Sequence, residues 1–168
     1  FEAVLHFAAL SLVGESMLNV AFGYFQIGDF GNAEVYWQQA DAVYAKVDDR
    51  AGVARAQQGL GLAKTASGDF SAARAALEGS MRAAEAQQMA PEHAASRISL
   101  ADLDRLEGRF VEALENASAA GALFAEQEDE RGGAESSLLS AQTLLDLGDW
   151  SAAAQALAPL QASPPASS

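Results

Sequence analysis

The sequence predicts an all-α chain built from about four stacked helical hairpins, and three observations carry that prediction. Alanine supplies 39 of the 168 residues and proline only 4, a composition that favours helix. No segment alternates polar and apolar residues with period two over a useful length, so no strand is expected. A Gly-X-aromatic triplet returns every 40 residues, as Gly28-Asp29-Phe30, Gly68-Asp69-Phe70, Gly108-Arg109-Phe110 and Gly148-Asp149-Trp150. Small residues keep fixed register with it: Ala33, Ala73, Ala113 and Ala153 after the aromatic, and Ala21, Gly61, Ala101 and Ala141 before the glycine. The residue ahead of that second column is Val20, Leu60, Leu100 and Ser140, and a further small column holds Ala40, Ser80 and Ala120.

Each glycine follows a run of helix formers and suits the left-handed residue that ends a helix. The Asp that follows in three copies can cap the next helix. The aromatic then fills the gap where two helices diverge, and the small columns let the axes approach closely. Polar, turn-like stretches separate the hairpins: Lys46 to Gly52, Met89-Ala90-Pro91-Glu92, and Glu128 to Gly133. In order, helices are expected near 3–27, 31–46, 51–67, 71–88, 92–107, 111–127, 132–147 and 151–158. Pro159 should end or kink the last helix. One domain is expected over 1–161, with repeats near 9–48, 49–88, 89–128 and 129–161, followed by a flexible tail or linker over 162–168.

Composition limits the function classes. Half the residues are apolar and a fifth are charged, which is globular rather than disordered. The formal charge of −13 argues against nucleic acid or an anionic membrane surface as partner. It fits either attraction of a basic partner or plain solubility in a salt-adapted or GC-rich source. The absence of Cys excludes disulfides and thiolate chemistry. No apolar run approaches the ~20 residues of a membrane span, and no basic leader marks a signal peptide. A cytoplasmic location is expected. The chain starts at Phe1 with its first Met at Met17, so it reads as a fragment or processed product.

Catalytic patterns are missing. Gly59 to Thr65 has the outline of a phosphate loop, but it lacks the glycine before Lys64 and lies mid-helix in the repeat register. His6 and His93 have no partner at metal-ligand spacing. Asn116-Ala117-Ser118 matches a glycosylation acceptor that falls mid-helix. The carboxylates spread over solvated faces rather than forming an acid/base dyad. The expectation is no enzyme, no cofactor and no metal.

The pattern of small residue, six residues, Gly-Asp-Phe, two residues and Ala resembles the tetratricopeptide repeat (TPR), in four copies over almost the whole chain. Its period of 40 exceeds the family's usual ~34 residues. Such longer variants are similar to repeats of bacterial signalling and transcriptional-regulator proteins and of some eukaryotic polarity adaptors, and Asp49 to Ala56 looks most like the bacterial regulator type. The family's first-helix Trp is replaced by Met17, Gln57, Arg97 and Ser137, and its mid-helix Tyr survives only as Tyr24. The resemblance implies a right-handed superhelix whose first helices line a concave groove that holds a peptide or a partner's helix. Positions matching the chaperone-tail carboxylate clamp hold Leu18, Phe22, Gly59, Ala95 and Ser99, so that activity is not implied.

Helical spacing then selects the groove stripe. It comprises Glu15, Asn19, Phe22 and Gln26 with Phe25 alongside; Arg55, Gln58, Gly59, Leu62 and Thr65; Ser99, Asp102, Arg105 and Leu106; and Glu135, Leu139, Gln142 and Asp146. Arg55 and Arg105 are its cations, either anchoring a ligand or spent on pairs with Glu15 and Asp102. The N-terminal 44 residues carry nine of the thirteen aromatics. Those rings either fill the first repeat or form an interface, with Phe22 and Phe25 the better interface candidates. The expected function is a non-catalytic scaffold binding a protein or peptide. The alternatives are a small-effector sensor of a larger regulator, with a pocket near Phe22 and Phe25, and a self-assembly module pairing through the aromatic first repeat or uncapped ends.

Overall fold

A computed structural model describes the backbone of residues 2–162 and the side chains of residues 7–160. Phe1, the expected tail beyond residue 162 and the side chain of His6 lie outside the described residues. The elements are α1 (Glu2–Gln26), α2 (Phe30–Lys46), α3 (Arg50–Ser67), α4 (Phe70–Ala86), α5 (Ala90–Leu106), α6 (Phe110–Glu126), α7 (Glu130–Asp146) and α8 (Trp150–Ala162). All are helices, and the described residues contain no strand.

The recurring triplet makes the turn inside each hairpin. Gly28, Gly68, Gly108 and Gly148 have φ between 75° and 83°, the left-handed region that a Cβ disfavours. Asp29, Asp69 and Asp149 accept hydrogen bonds from the backbone N–H groups of Asn32, Ala72 and Ala152. Arg109, standing where the other copies have Asp, makes no side-chain cap. The aromatics Phe30, Phe70 and Phe110 are half-buried, whereas Trp150 is 73% exposed, since no described helix follows α8 to cover it.

Between hairpins the chain turns at Asp48, Gln88 and Glu128, again 40 residues apart, with φ of 52° to 56°. Non-glycine residues there carry a backbone cost that glycine avoids. Gln88→Gly should therefore raise stability by about 0.5–1 kcal/mol, after deducting glycine's extra chain entropy. Thermal melts check this, and a lowered midpoint would mean that Gln88 holds the turn through its side chain.

The small columns are the packing surface. Ala21, Gly61, Ala101 and Ala141 are buried, as are Ala33, Ala73, Ala113 and Ala153 and the column Ala40, Ser80 and Ala120. Large side chains of the second helices insert where an adjacent first helix has none. Trp37 lies over Gly59, Leu77 over Gly61, Tyr44 over Gly52, and Phe124 over Gly132. Each helix packs on its sequence neighbours. In addition α1 touches α3, α3 touches α5, and α5 touches α7, whereas among the described residues the second helices make no such contacts with one another. The first helices therefore form the tighter, inner row of a curved stack, and the second helices splay on its outer side.

Two expectations are corrected. Pro159 does not end α8; it gives up one backbone hydrogen bond on an exposed turn, and the helix continues through Ala162. The stretch Phe7–Gln26 of α1, with mean hydropathy 1.2, is long and apolar enough by composition to cross a membrane. Its polar residues, Ser11, Glu15, Ser16, Asn19 and Gln26, are scattered one or a few residues apart and so leave the average apolar. Part of this helix, at Ala21 and Leu18, packs into the core against α2 and α3.

Candidate functional site: a cleft on the inner row

A cleft of about 710 Å³ opens on the inner row between α3, α5 and α7. Its apolar surface comes from Leu62 on α3, Ile98 on α5, Leu138 and Leu139 on α7, and Phe124 on α6. Phe124 reaches this side because Gly132 presents no side chain: a Cβ there would meet the Phe124 ring at 2.3 Å. Gln58, Ser99 and Gln142 add amide and hydroxyl groups, with Gln58 Nε2 3.5 Å from Ser99 Oγ. The ionisable lining residues are Asp102, Asp129, Glu135 and Arg131. Asp129 also caps α7, accepting from the Gly132 N–H.

Of the residues expected to face a ligand, Gln58, Leu62, Ser99, Asp102, Glu135, Leu139 and Gln142 come together in this cleft. Others do not. Asn19, Phe22 and Gln26 are exposed on α1, outside the cleft. Phe25 is no free interface ring: its centroid lies 5.4 Å from Phe30 and 5.7 Å from Trp37, so it packs into the first repeat. Neither Phe22 nor Phe25 lines the cleft between α3, α5 and α7. Thr65 turns its hydroxyl back to the Gly61 carbonyl at 2.9 Å, within its own helix.

Both expected cations are engaged internally. Arg55 Nη1 lies 3.3 Å from Glu15 Oε2, and the guanidinium stands 5.9 Å from the centroid of the Tyr44 ring. Arg105 bridges Asp102 at 3.0 Å and Asp146 at 2.9 Å. Tyr44 is itself buried between Gly14 and Gly52, and it donates to Glu15 at 3.3 Å. Burial and the neighbouring Glu15 charge push its hydroxyl up to about 12, so it stays a neutral donor at any physiological pH.

Helical spacing missed Pro91, Phe124, Asp129, Arg131 and Gly132, which lie at or beside the junction turns, and also Ala95, Ile98 and Leu138, which line the cleft from within α5 and α7. One signal was present. Tyr44 and Gly52, and likewise Phe124 and Gly132, are a large ring and a glycine eight residues apart across a hairpin junction, and each pair is in contact.

A second polar group lies away from the cleft. Asp104 on α5 is 1% exposed, and its Oδ1 is held by Arg74 of α4 at 2.6 Å and Arg109 at 2.5 Å. Asn116 of α6 donates to its Oδ2 at 3.0 Å and accepts in turn from Arg97. Burial pushes the Asp104 carboxyl above the usual carboxylate range, against the pull of Arg74 and Asn116. Arg74, Arg109 and Asn116 tie α4 and α6 to α5 through this one carboxylate, which makes the group a structural clasp. Among the described residues, no group of three or more His, Asp or Glu is placed to hold a metal ion.

Helical hairpins stacked with their first helices inward define a TPR-like solenoid, an all-helical repeat protein. Residues 12–86 match the family model described as Tetratricopeptide repeat. Two structures of a putative kinesin light chain with nearly identical TPR-like repeats from Podosopora anserina, one of them a single-residue variant, superpose with a TM-score of 0.75 at 22% identity. The match covers 90% of this chain and 74% of theirs. BtubC (BKLC) from P. vanneervenii superposes with a TM-score of 0.73 at 14% identity, over 95% of this chain and 68% of that one. At these identities the likeness is one of fold. No curated protein matches the sequence.

Proposed function

We propose that the chain is a non-catalytic scaffold that binds a protein or peptide segment in the cleft between α3, α5 and α7. The observation that supports this reading is the cleft itself. It runs across three successive first helices, and it combines apolar anchors with amides able to bond a peptide backbone. TPR repeats are in general protein-interaction modules, and the expected resemblance of Asp49 to Ala56 to bacterial regulator repeats fits a binding segment of a larger, cytoplasmic regulator. Panning displayed random peptides on the chain tests the proposal. Binders should be lost when Leu62→Ser and Leu138→Ser are combined and retained in Leu12→Ser on α1. Binders indifferent to the cleft variant would contradict it.

A second reading, self-association, has its own observation. The α3 residues facing the preceding hairpin include Gly52, Val53 and Leu60. Their counterparts 40 positions earlier, Leu12, Val13 and Val20, are exposed by 73%, 43% and 39%. An apolar stacking face on α1 is thus left uncovered by the described residues. A second copy covering it would give a concentration-dependent mass in solution, abolished by Leu12→Glu.

A further inference from the structure

The cleft is apolar at its floor and acidic at its edge, and that asymmetry says what kind of segment it takes. We infer that the occupant is a short stretch of another polypeptide that carries large apolar side chains beside Lys or Arg. The inference rests on the peptide-binding reading above and specifies its ligand.

The ionisable lining residues are three acids and one base: Asp102, Asp129 and Glu135 against Arg131. Asp102 is held by Arg105, which also holds Asp146, so Arg105 has no free side to offer an incoming carboxylate. Glu135 is exposed, sits one helical turn from Leu138 and Leu139, and makes no ion pair among the described residues. Next to the cleft, the α6–α7 connection adds the exposed acids Glu126, Glu128 and Glu130. The whole chain carries −13. An acidic segment would approach against this field and find one exposed base. A basic one would be drawn in and find carboxylates placed beside the apolar anchors.

Size favours a segment over a single side chain. Neighbouring helix axes stand roughly 8–10 Å apart, so a cleft from α3 over α5 to α7 runs about 16–20 Å. At about 3.3 Å per residue this accommodates roughly five or six extended residues. Leu62 at one end and Leu138 at the other give two apolar seats, and Gln58, Ser99 and Gln142 lie along the cleft to meet the backbone between them.

Three synthetic peptide pools test the inference by fluorescence anisotropy. All carry the same two large apolar residues; the flanks are Lys/Arg, Ser/Gln or Asp/Glu. The Lys/Arg pool should bind at least about tenfold more tightly than the Asp/Glu pool at low salt, with the margin shrinking as salt is raised. Glu135→Lys should narrow that margin several-fold, and Leu138→Ser should remove most binding of the Lys/Arg pool. Both positions are exposed, and unchanged melting curves would show that the fold is kept. Equal binding of the three pools, still lost in Leu138→Ser, would overturn the charge preference and leave the peptide cleft standing. Binding untouched by Leu62→Ser and Leu138→Ser would overturn the cleft reading itself. No binding of any pool would overturn the inference.

Discussion

Arg74→Leu should destabilise the chain by about 3 kcal/mol, and adding Asp104→Leu should restore stability to within about 1 kcal/mol of the parent. The single change withdraws one of two guanidinium groups from a carboxylate that is 1% exposed. Breaking such a pair costs about 3–5 kcal/mol; the lower end applies because Arg109 and Asn116 remain. The double change swaps a desolvated ion pair for two apolar side chains, and the molecule already uses that solution. The same register positions one repeat later are Leu114 and Leu144, and one repeat earlier they are Glu34 and Lys64, paired at 2.7 Å with the charges reversed. For a chain of this size, ~3 kcal/mol lowers the melting midpoint by about 6–12 °C.

The pH dependence follows from burial. Asp104 has its folded pKa raised, so the folded state holds the proton more firmly than the unfolded chain, and its contribution to stability is lost as pH rises through the folded pKa. Removing Arg74 raises that pKa further. The deficit of Arg74→Leu should therefore be largest at neutral pH and shrink as the solution is acidified. A deficit that stays the same or grows on acidification would show that Arg74 does not act through the charge on Asp104.

Gly132→Ala and Gly133→Ala should move stability in opposite directions although they are the same change at adjacent residues. A Cβ on Gly132 would fall 2.3 Å from the Phe124 ring, and that ring is packed among Ala94, Ile98 and Leu139 and cannot swing away. Overpacking of this kind costs about 1–3 kcal/mol. A Cβ on Gly133 meets nothing within 4 Å. There the alanine gains its helix preference, up to about 1 kcal/mol. Chemical denaturation of the two variants measures both signs. Equal shifts would mean that Phe124 does not seat on Gly132, and the wall of the cleft at that point would be misplaced.

The repeat made the hairpins legible, because the chemistry of each turn is local. A glycine that must be left-handed and an aspartate that caps the next helix act on residues three or four away, and the sequence displays them. The junction turns were harder to read, since Asp48, Gln88 and Glu128 take the left-handed conformation without the glycine that announces it. The inner-row stripe was half legible. Spacing placed Gln58, Leu62, Asp102 and Gln142 on one face, but it could not say which stretch of that face hollows into a cleft. That depends on Phe124 meeting Gly132 across a junction, and on Arg105 reaching the next repeat's Asp146. Asp104 was illegible for a related reason: its partners lie on α4 and α6, and one helix face shows nothing of them. Phe25 misled because a ring on an inward-facing stripe can also close its own hairpin.

The central claim is that the ligand surface is the cleft across α3, α5 and α7. Methyl NMR of the chain titrated with the Lys/Arg-flanked peptide pool tests it most directly. The account predicts shifts concentrated at Leu62, Ile98, Leu138 and Leu139, with Leu12, Val13 and Val20 unmoved. Shifts confined to Leu12, Val13 and Val20 on α1, with the cleft methyls silent, would contradict it.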